Sequence, residues 1–296
     1  MDYLILFSSG RTSAFLSKYF KERHGFDQKI QMYRSSGKPI YTYHKNNRGD
    51  RCVFVMMNTG KERKESLKFA DRCDKEWDLG LNYLEAVVSL EKGKGTTHRL
   101  VKFQNLDRKG EVFESMLKKY PLPTNKASNC TRELKQRPQE SFLRFIGWHK
   151  AVKVIGIRAD EEHRKSINAD KENVIYPLCD EIAVDSKFIR TWWDRQPFDL
   201  QLRDYEGNCD LCFKKSLKKR LTIVKENPYM AIWWLVQEEQ FSTSEVPRFD
   251  LRTNVSISDL IEMAKHPFEK AHDKHLLSKQ QLELFEFETD CYCKAN

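Results

Sequence analysis

The sequence lacks a long apolar run and a secretory leader. No stretch approaches the roughly 18 consecutive apolar residues of a membrane span, and the mean hydropathy is −0.70. The chain starts with Met1-Asp2 and a short apolar tract that runs into the polar residues 8–11, without the basic start and small-residue cleavage site of a signal peptide. We therefore expect a cytoplasmic protein with no membrane partner, whose thiols stay reduced.

Repeats and low-complexity tracts are also absent, and acidic residues are outnumbered. The 296 residues contain 43 Asp and Glu against 52 Lys and Arg, a net charge of +9. Hydrophobic residues make up 40% and include 18 Phe, 11 Tyr and 6 Trp, which excludes disorder throughout. The length suits one large α/β domain with an appendage. The basic excess suits an anionic partner, either a nucleotide or a nucleic acid.

Apolar runs and amphipathic segments alternate through the first half of the chain. Predicted strands cover 3–7, 52–57, 83–88 and 152–157, and predicted helices cover 14–20, 61–74 and 138–145. This order predicts an α/β fold with a mostly parallel sheet and helices on both faces, whose ligands bind at the carboxyl ends of the strands. We place this domain at residues 1–185 and a smaller helical, Cys-containing part at 186–296. Residues 31–51 read as a polar insertion with little periodicity.

The loop after the first strand is the strongest candidate for an anion site. Backbone N–H groups and hydroxyls at the start of a helix favour a phosphate, and a basic side chain there adds a mobile cation. The loop residues are Ser8, Ser9, Gly10, Arg11, Thr12 and Ser13. An ordinary capped turn is the alternative interpretation. No Gly-Lys-Ser/Thr follows, so this is not a Walker loop.

Four segments in order carry a family resemblance. Residues 8–13 resemble the pyrophosphate loop Ser-Gly-Gly-x-Asp-Ser of the N-type ATP pyrophosphatases and the phosphoadenosine phosphosulfate (PAPS) reductases. Residues 58–62, Asn-Thr-Gly-Lys-Glu, are similar to the turn of the family's second strand. Residues 130–135 and 156–164 resemble its Cys-x-x-Arg/Lys-x-x-Lys and Gly-x-Arg-x-x-Glu segments. The resemblance implies the adenine nucleotide alpha-hydrolase-like fold and points to the PAPS reductase-like proteins of phages and mobile elements.

The resemblance also implies site residues. An ATP- or PAPS-like nucleotide would lie on residues 8–13 and near Asn58, Thr59, Gly60 and Glu62, with Mg²⁺ as a candidate counter-ion. The groups expected to take part in the chemistry are Cys130, Arg132, Lys135, Arg158 and Arg164. Two positions depart from the family pattern. Thr12 stands where ATP-cleaving members have Asp, which removes a carboxylate that helps to place Mg²⁺, and Ser9 replaces a Gly.

The eight cysteines suggest a metal centre rather than disulfides. Cys209 and Cys212 form a C-x-x-C pair, and Cys130 lies roughly 80 residues before it, which resembles the ligand spacing of a 4Fe-4S cluster in adenylylsulfate reductases. Cys291 or Cys293 would supply a further ligand. A zinc site from Cys209, Cys212, Cys291 and Cys293 is the competing hypothesis. The remaining cysteines are expected in the core, as Cys52, Cys73 and Cys179.

These expectations combine into an enzyme that binds an adenine nucleotide. It would be an oxidoreductase acting on sulfonucleotides, or an ATP-dependent sulfurtransferase or ATP pyrophosphatase. Nucleic acid or tRNA is a candidate sulfur acceptor, and a thiol reductant protein is a candidate partner. The alternative is a zinc-stabilised nucleic-acid-binding protein without nucleotide turnover, which the basic residues 214–215 and 218–220 would favour.

Overall fold

The computed structural model describes residues 1–37 and 39–273. Its eight strands are β1 Asp2–Leu6, β2 Gln28–Tyr33, β3 Pro39–Lys45, β4 Arg51–Asn58, β5 Asn82–Val87, β6 Thr97–Val101, β7 Val152–Val154 and β8 Val174–Ile175. The α-helices in these ranges are α1 Arg11–Arg23, α2 Lys64–Trp77, α3 Glu111–Leu117, α4 Asn129–Thr131, α5 Arg137–Phe145, α6 Ala169–Glu172, α7 Pro177–Asp180, α8 Ser186–Trp193, α9 Leu217–Glu226, α10 Tyr229–Phe241 and α11 Ile257–Met263. A π-helical turn, Arg132–Gln136, joins α4 to α5. Short 3-10 helices cover Phe103–Asn105 and Ala159–Arg164.

All eight strands form one sheet, and its centre is parallel. β1 lies between β4 and β7, and β8 extends the sheet beyond β7, all in parallel. The other edge of β4 is divided: its first residues pair with β3, antiparallel, and its last four pair with β5, parallel. The carboxyl ends of β1 and β4 are therefore neighbours, and the loops that follow them meet at one edge of the sheet.

Helices cover both faces of the sheet, as the sequence predicts. Along β4, Cys52, Phe54 and Met56 pack in a cluster with side chains from α1, α2 and α8. The alternate residues Val53, Val55 and Met57 pack with Phe142 and Leu143 of α5 on the opposite face. This two-residue alternation between two buried faces explains why β4 is a continuous apolar run in the sequence.

A second core joins the C-terminal helices to the sheet domain. Side chains from α9, α10 and α11 pack with α3 and with Leu134 of the π-helical turn. By contrast α8, through Ile189 and Trp193, packs in the same cluster as α1 and α2. The expected boundary at residue 185 stays a prediction, but α8 belongs with the sheet domain by its contacts. Within the described ranges, no helix is both long and apolar enough to cross a bilayer.

The interpretation of residues 31–51 as an aperiodic insertion is wrong. β2 and β3 form an antiparallel hairpin that extends the sheet from the start of β4. Both faces of β2 are partly or fully exposed, so no alternation of apolar and polar residues marks it. The hairpin is anchored through β3, where Tyr41 and Tyr43 pack against the core and the Asn82 amide bonds the backbone N–H and carbonyl of Thr42 at 2.9 and 2.8 Å.

His44 makes this hairpin sensitive to acid. Its imidazole is fully buried, Nε2 lies 2.8 Å from the carbonyl oxygen of Leu79, and burial lowers its pKa to about 4. In the unfolded chain its pKa is about 6.5. The folded state therefore holds a neutral imidazole, and its contribution to stability is complete above pH 6.5 and is lost as pH falls toward 4.

We expect His44→Gln to remove this pH dependence while keeping a donor for Leu79. Between pH 7.5 and pH 4.5 the parent should lose about 2.5 kcal/mol of unfolding free energy relative to the variant. Urea unfolding at both pH values measures the difference. His149→Gln at an exposed position provides the control for replacing a histidine by glutamine. Parallel curves for the parent and His44→Gln would contradict the argument.

Candidate functional site

The loop after β1 folds around the hydroxyl of Ser13. Its Oγ accepts hydrogen bonds from the N–H and the hydroxyl of Ser8, both at 3.0 Å, and donates to the carbonyl oxygen of Gly10 at 3.0 Å. Ser9 has a φ of +57°, the left-handed conformation that glycine adopts most easily. Ser9 thus keeps the backbone shape expected where the resembling family has Gly.

The loop presents a row of backbone donors at the start of α1. Gly10 is the N-cap of the helix and no side chain caps it. Among the described residues, none accepts a hydrogen bond from the N–H groups of residues 9–13; the first bonded amide is that of Ala14, which donates to Gly10 at 3.0 Å. Uncapped amides at the start of a 13-residue helix suit an anion.

Arg11 is not the mobile cation that the sequence predicts. Its guanidinium forms a two-pronged ion pair with Asp199 at 2.8 Å and donates to the carbonyl oxygen of Leu200 at 2.7 Å. The side chain is only 14% exposed. Arg11 therefore ties the segment after α8 to the start of α1, and only its backbone N–H remains for a ligand.

Arg158, which follows β7, does reach the loop. One of its nitrogens donates to the hydroxyl of Thr12 at 3.2 Å, while two others pair with Asp160. Arg164 pairs with Glu161. The two arginines lie at the predicted edge of the sheet, but acidic neighbours in the 3-10 helix offset their positive charges.

The turn after β4 is buried and rigid. The Asn58 amide donates to Glu85 at 2.6 Å and to the carbonyl oxygen of Asp107 at 2.9 Å. Gly60 has a φ of +82°, and a Cβ there would lie 2.0 Å from a carboxylate oxygen of Asp107. This turn therefore requires glycine and is locked to the segment before α3.

Thr59 and Glu62 connect this turn to the C-x-x-C segment. The carboxylate of Glu62 accepts from the backbone N–H and the hydroxyl of Thr59, both at 2.8 Å. Because the Thr59 hydroxyl donates to Glu62, the Cys209 thiol at 3.7 Å is the donor in the contact between them. Glu62 and Cys209 also form an isolated antiparallel bridge. Hydrogen bonds thus connect the Cys209 thiol through Thr59 to the carboxylate of Glu62. Burial raises the pKa of this carboxyl group.

Three cysteines gather at this end of the sheet, and we call Cys130, Cys209 and Cys212 the thiol cluster. Burial raises the pKa of Cys130 to about 11, with a further increase from a negative charge on Cys209. Burial also raises the pKa of Cys209 to about 12, and the negative charge of Glu62 makes the next largest contribution to this increase. The positive charge of Lys135 opposes these shifts at both thiols. The sequence-predicted residues 130, 135, 209 and 212 are therefore brought together.

A buried ion pair that the sequence analysis missed holds the C-x-x-C segment in place. Nζ of Lys61 lies 2.9 Å from a carboxylate oxygen of Asp210 and 4.3 Å from the centre of the Trp233 ring. Asp210 also accepts from the indole N–H of Trp234 at 2.7 Å. The backbone N–H of Asp210 donates to the carbonyl oxygen of Lys61 at 2.9 Å. These contacts join the turn after β4 to the loop that carries Cys209 and Cys212.

A second buried cation lies behind the cluster. Arg220 is fully buried and pairs with the buried Asp250, yet its Nε and Nη1 have no hydrogen-bond partner among the described residues. A negative charge on Cys212 would raise the pKa of Arg220, which shows that the two side chains are close enough to interact. A thiolate at Cys212, as in a metal centre, would compensate this charge.

A tetrahedral zinc site requires its ligand atoms to lie close together. Four thiolates around zinc, each at about 2.3 Å, lie roughly 3.8 Å apart. In the described part of the chain, the only three ligand side chains with atoms all within 4.8 Å of one another are Glu162, Cys179 and Asp180, and Lys165 already pairs with Asp180. In the thiol cluster, at least one pair of sulfur atoms is therefore more than 4.8 Å apart. Cys291 and Cys293, the other predicted ligands, lie outside the described residues.

Most of the basic segment after Cys212 has a structural role. Lys215 is buried and bonds the carbonyl oxygen of Gly207, and Arg220 is the buried partner of Asp250. Lys218 pairs with Glu269 at 2.6 Å. Of the basic side chains at 214–220, Lys214 faces a cleft. Lys215 and Arg220 are therefore not part of an exposed basic surface, and the alternative of a nucleic-acid-binding protein stays a prediction.

Fold and site together define an α/β protein with a mostly parallel sheet, in which an uncapped helix N-terminus follows β1. The turn after the neighbouring strand β4 contacts a cluster of partly buried thiols. No protein-family model matches the chain. It is 30% identical over 223 residues to the uncharacterized nin region protein ORF290 of Escherichia phage lambda, a match that covers 74% of this chain and 68% of the phage protein. The chain belongs to the family of this phage protein.

Proposed function

We propose that the protein is a PAPS reductase-like enzyme that binds an adenine nucleotide and uses it for sulfur chemistry. The observation that carries the proposal is a row of five backbone N–H groups, residues 9–13, that have no acceptor in the described ranges. They follow β1, and the turn after the neighbouring strand β4 contacts Cys209 of the thiol cluster. The amides would hold the phosphates of an ATP- or PAPS-like ligand, and Arg158 lies beside them through Thr12.

The thiols suit a metal centre better than attack on a substrate, because three of them gather in one place. With a pKa of about 11, only about one Cys130 side chain in ten thousand is a thiolate at pH 7. A metal replaces such protons on binding. Cys130, Cys209 and Cys212 would hold the centre, and their spacing along the chain, which resembles that of adenylylsulfate reductases, favours a 4Fe-4S cluster over zinc. Such a centre would supply redox chemistry or sulfur beside the nucleotide.

Of the two reaction classes, these properties favour adenylating sulfur transfer. An acceptor oxygen would attack the α-phosphorus of ATP, the bond to the bridging oxygen would break, and pyrophosphate would leave with its charge stabilised by the loop amides. A sulfur nucleophile would then displace AMP. Reduction of a sulfonucleotide by Cys130 or Cys209 requires a free thiolate, which their raised pKa values disfavour.

We expect the double variant Ser8→Ala/Ser13→Ala to bind ATP about tenfold more weakly than the parent, because both loop hydroxyls and the bonds that shape the loop are lost. Isothermal titration with ATP and with PAPS measures this. The exposed Ser242→Ala serves as the control, and thermal unfolding shows whether each variant is folded. Saturable binding of neither nucleotide to the parent would overturn the proposal.

Product analysis then separates the reaction classes. Pyrophosphate released from ATP in the presence of an acceptor supports adenylation. Sulfite released from PAPS with a thiol donor instead would overturn the choice of reaction while leaving the nucleotide site in place.

A further inference from the structure

We propose that a cationic cleft beside the thiol cluster binds the phosphodiester backbone of single-stranded nucleic acid. The cleft has a volume of about 540 Å³ and is lined by three separate segments of the chain. Its basic side chains are Lys126, Arg132, Lys214 and Arg252, and the rest of the lining is amide, hydroxyl or small, with no acidic side chain.

The positive charge of this cleft is mostly uncompensated. Arg132 pairs with Glu133 at 2.7 Å. Within the described residues, no carboxylate lies at ion-pair distance from Lys126, Lys214 or Arg252. Three such cations exceed what a single phosphate group neutralises, so the lining suits a ligand with several phosphates.

The wall of the cleft is held from behind by buried groups. Asp250, which is fully buried beside Arg220, accepts from the backbone N–H of Arg252 at 3.0 Å and from the amide of Asn125 at 3.3 Å. The other amide atom of Asn125, Oδ1, is shielded from solvent and has no donor among the described residues.

The shape of the cleft favours a single strand. A double helix, whose major groove alone is about 12 Å wide, is too broad to enter a cavity of this volume, whereas an extended strand can pass through an open cleft. The polar lining excludes an apolar ligand or a lipid tail.

The cleft also lies beside Cys130 of the thiol cluster. Asn129 and Thr131 line it on either side of Cys130, and the charge of Lys214 opposes the raised pKa of Cys130. A strand held there would lie next to the candidate centre, in the place of a sulfur acceptor. That role rests on the proposed function, whereas the binding itself does not and can be measured without nucleotide.

The test is fluorescence anisotropy with labelled oligo-dT and oligo-U of about 12 nucleotides, a length within the known range of single-strand sites. The logarithm of the binding constant falls linearly with the logarithm of the salt concentration, and each phosphate contact on a single strand contributes about 0.7 to the slope. We expect Lys126→Gln/Lys214→Gln to remove two contacts and so to reduce this slope by about 1.4, which weakens binding about 25-fold in 0.1 M salt. The control is Lys68→Gln/Lys92→Gln, which removes the same charge from two exposed lysines outside the cleft.

The control should leave affinity within about twofold of the parent, because long-range effects of exposed charges are screened in 0.1 M salt. An equal loss in both double variants, no binding by the parent, or equally tight binding of a mononucleotide would each overturn the proposal. Preference for dT or U would tell whether the strand is DNA or RNA. Unchanged thermal unfolding of the cleft variant supports a loss of contacts rather than of the fold.

Discussion

Cys209→Ser is expected to purify without the metal centre, with bound metal falling from stoichiometric to background. Cys209 is fixed in the site by its thiol contact with Thr59 and by the backbone bridge to Glu62. The hydroxyl that replaces the thiol in this variant is a poor ligand for iron or zinc at neutral pH, because these metals bind the thiolate. Iron, zinc and acid-labile sulfide analysis of anaerobically purified protein measures the loss.

Cys179→Ser is the matched control for this experiment. Cys179 is partly exposed, like Cys209, but it lies with Glu162 and Asp180 away from the thiol cluster. We expect it to keep the metal content of the parent. Loss of metal in Cys179→Ser with retention in Cys209→Ser would move the centre to the other group. Colourless parent protein with one zinc and no sulfide would contradict the iron–sulfur assignment.

The central part of the fold could be predicted because it is marked locally. β1, β4 and β5 are apolar runs that end in polar turns, and the helices after β1 and β4 show amphipathic spacing, so their order already indicates a parallel sheet. The same pattern, a strand followed by a helix, also predicted the candidate anion site at residues 8–13. The hairpin of β2 and β3 could not be predicted because the exposed faces of β2 carry no alternation, and because β3 is held by contacts with residues far along the chain.

Side-chain partners were the part of the site that the sequence could not specify. Arg11 and Asp199 lie far apart in the chain, and nothing local distinguishes a cation bound to phosphate from one bound to a carboxylate. Lys215 and Arg220 read as surface charge because a basic run is usually solvated, but here both are buried. The gathering of Cys130 with Cys209 could be anticipated only through family resemblance, since it depends on the path of the chain between them.

Lys61→Met is expected to destabilise the protein by about 3–5 kcal/mol, the usual cost of leaving one member of a buried ion pair without its partner. The Lys61 and Asp210 side chains are only 8% and 12% exposed. Methionine fills a similar volume against Trp233, so the loss reflects the uncompensated carboxylate rather than a cavity. Urea unfolding measures the effect. Because Asp210 lies between Cys209 and Cys212, the metal content should fall as well.

The double variant Lys61→Met/Asp210→Asn separates the charge from the packing. Asparagine keeps an oxygen acceptor for the indole N–H of Trp234 and for the backbone N–H of Leu211, which bond Asp210 at 2.7 and 2.8 Å. With no buried charge left unpaired, the double variant should be more stable than Lys61→Met by about 2 kcal/mol or more. Lys75→Met, which breaks the exposed helical pair with Asp71, should change stability by only about 0.5 kcal/mol. If Lys61→Met cost no more than Lys75→Met, this ion pair would not hold the turn after β4 to the C-x-x-C loop. The position of the thiol cluster would then depend on the contacts between Thr59, Glu62 and Cys209 and on the backbone bond from Asp210 to Lys61.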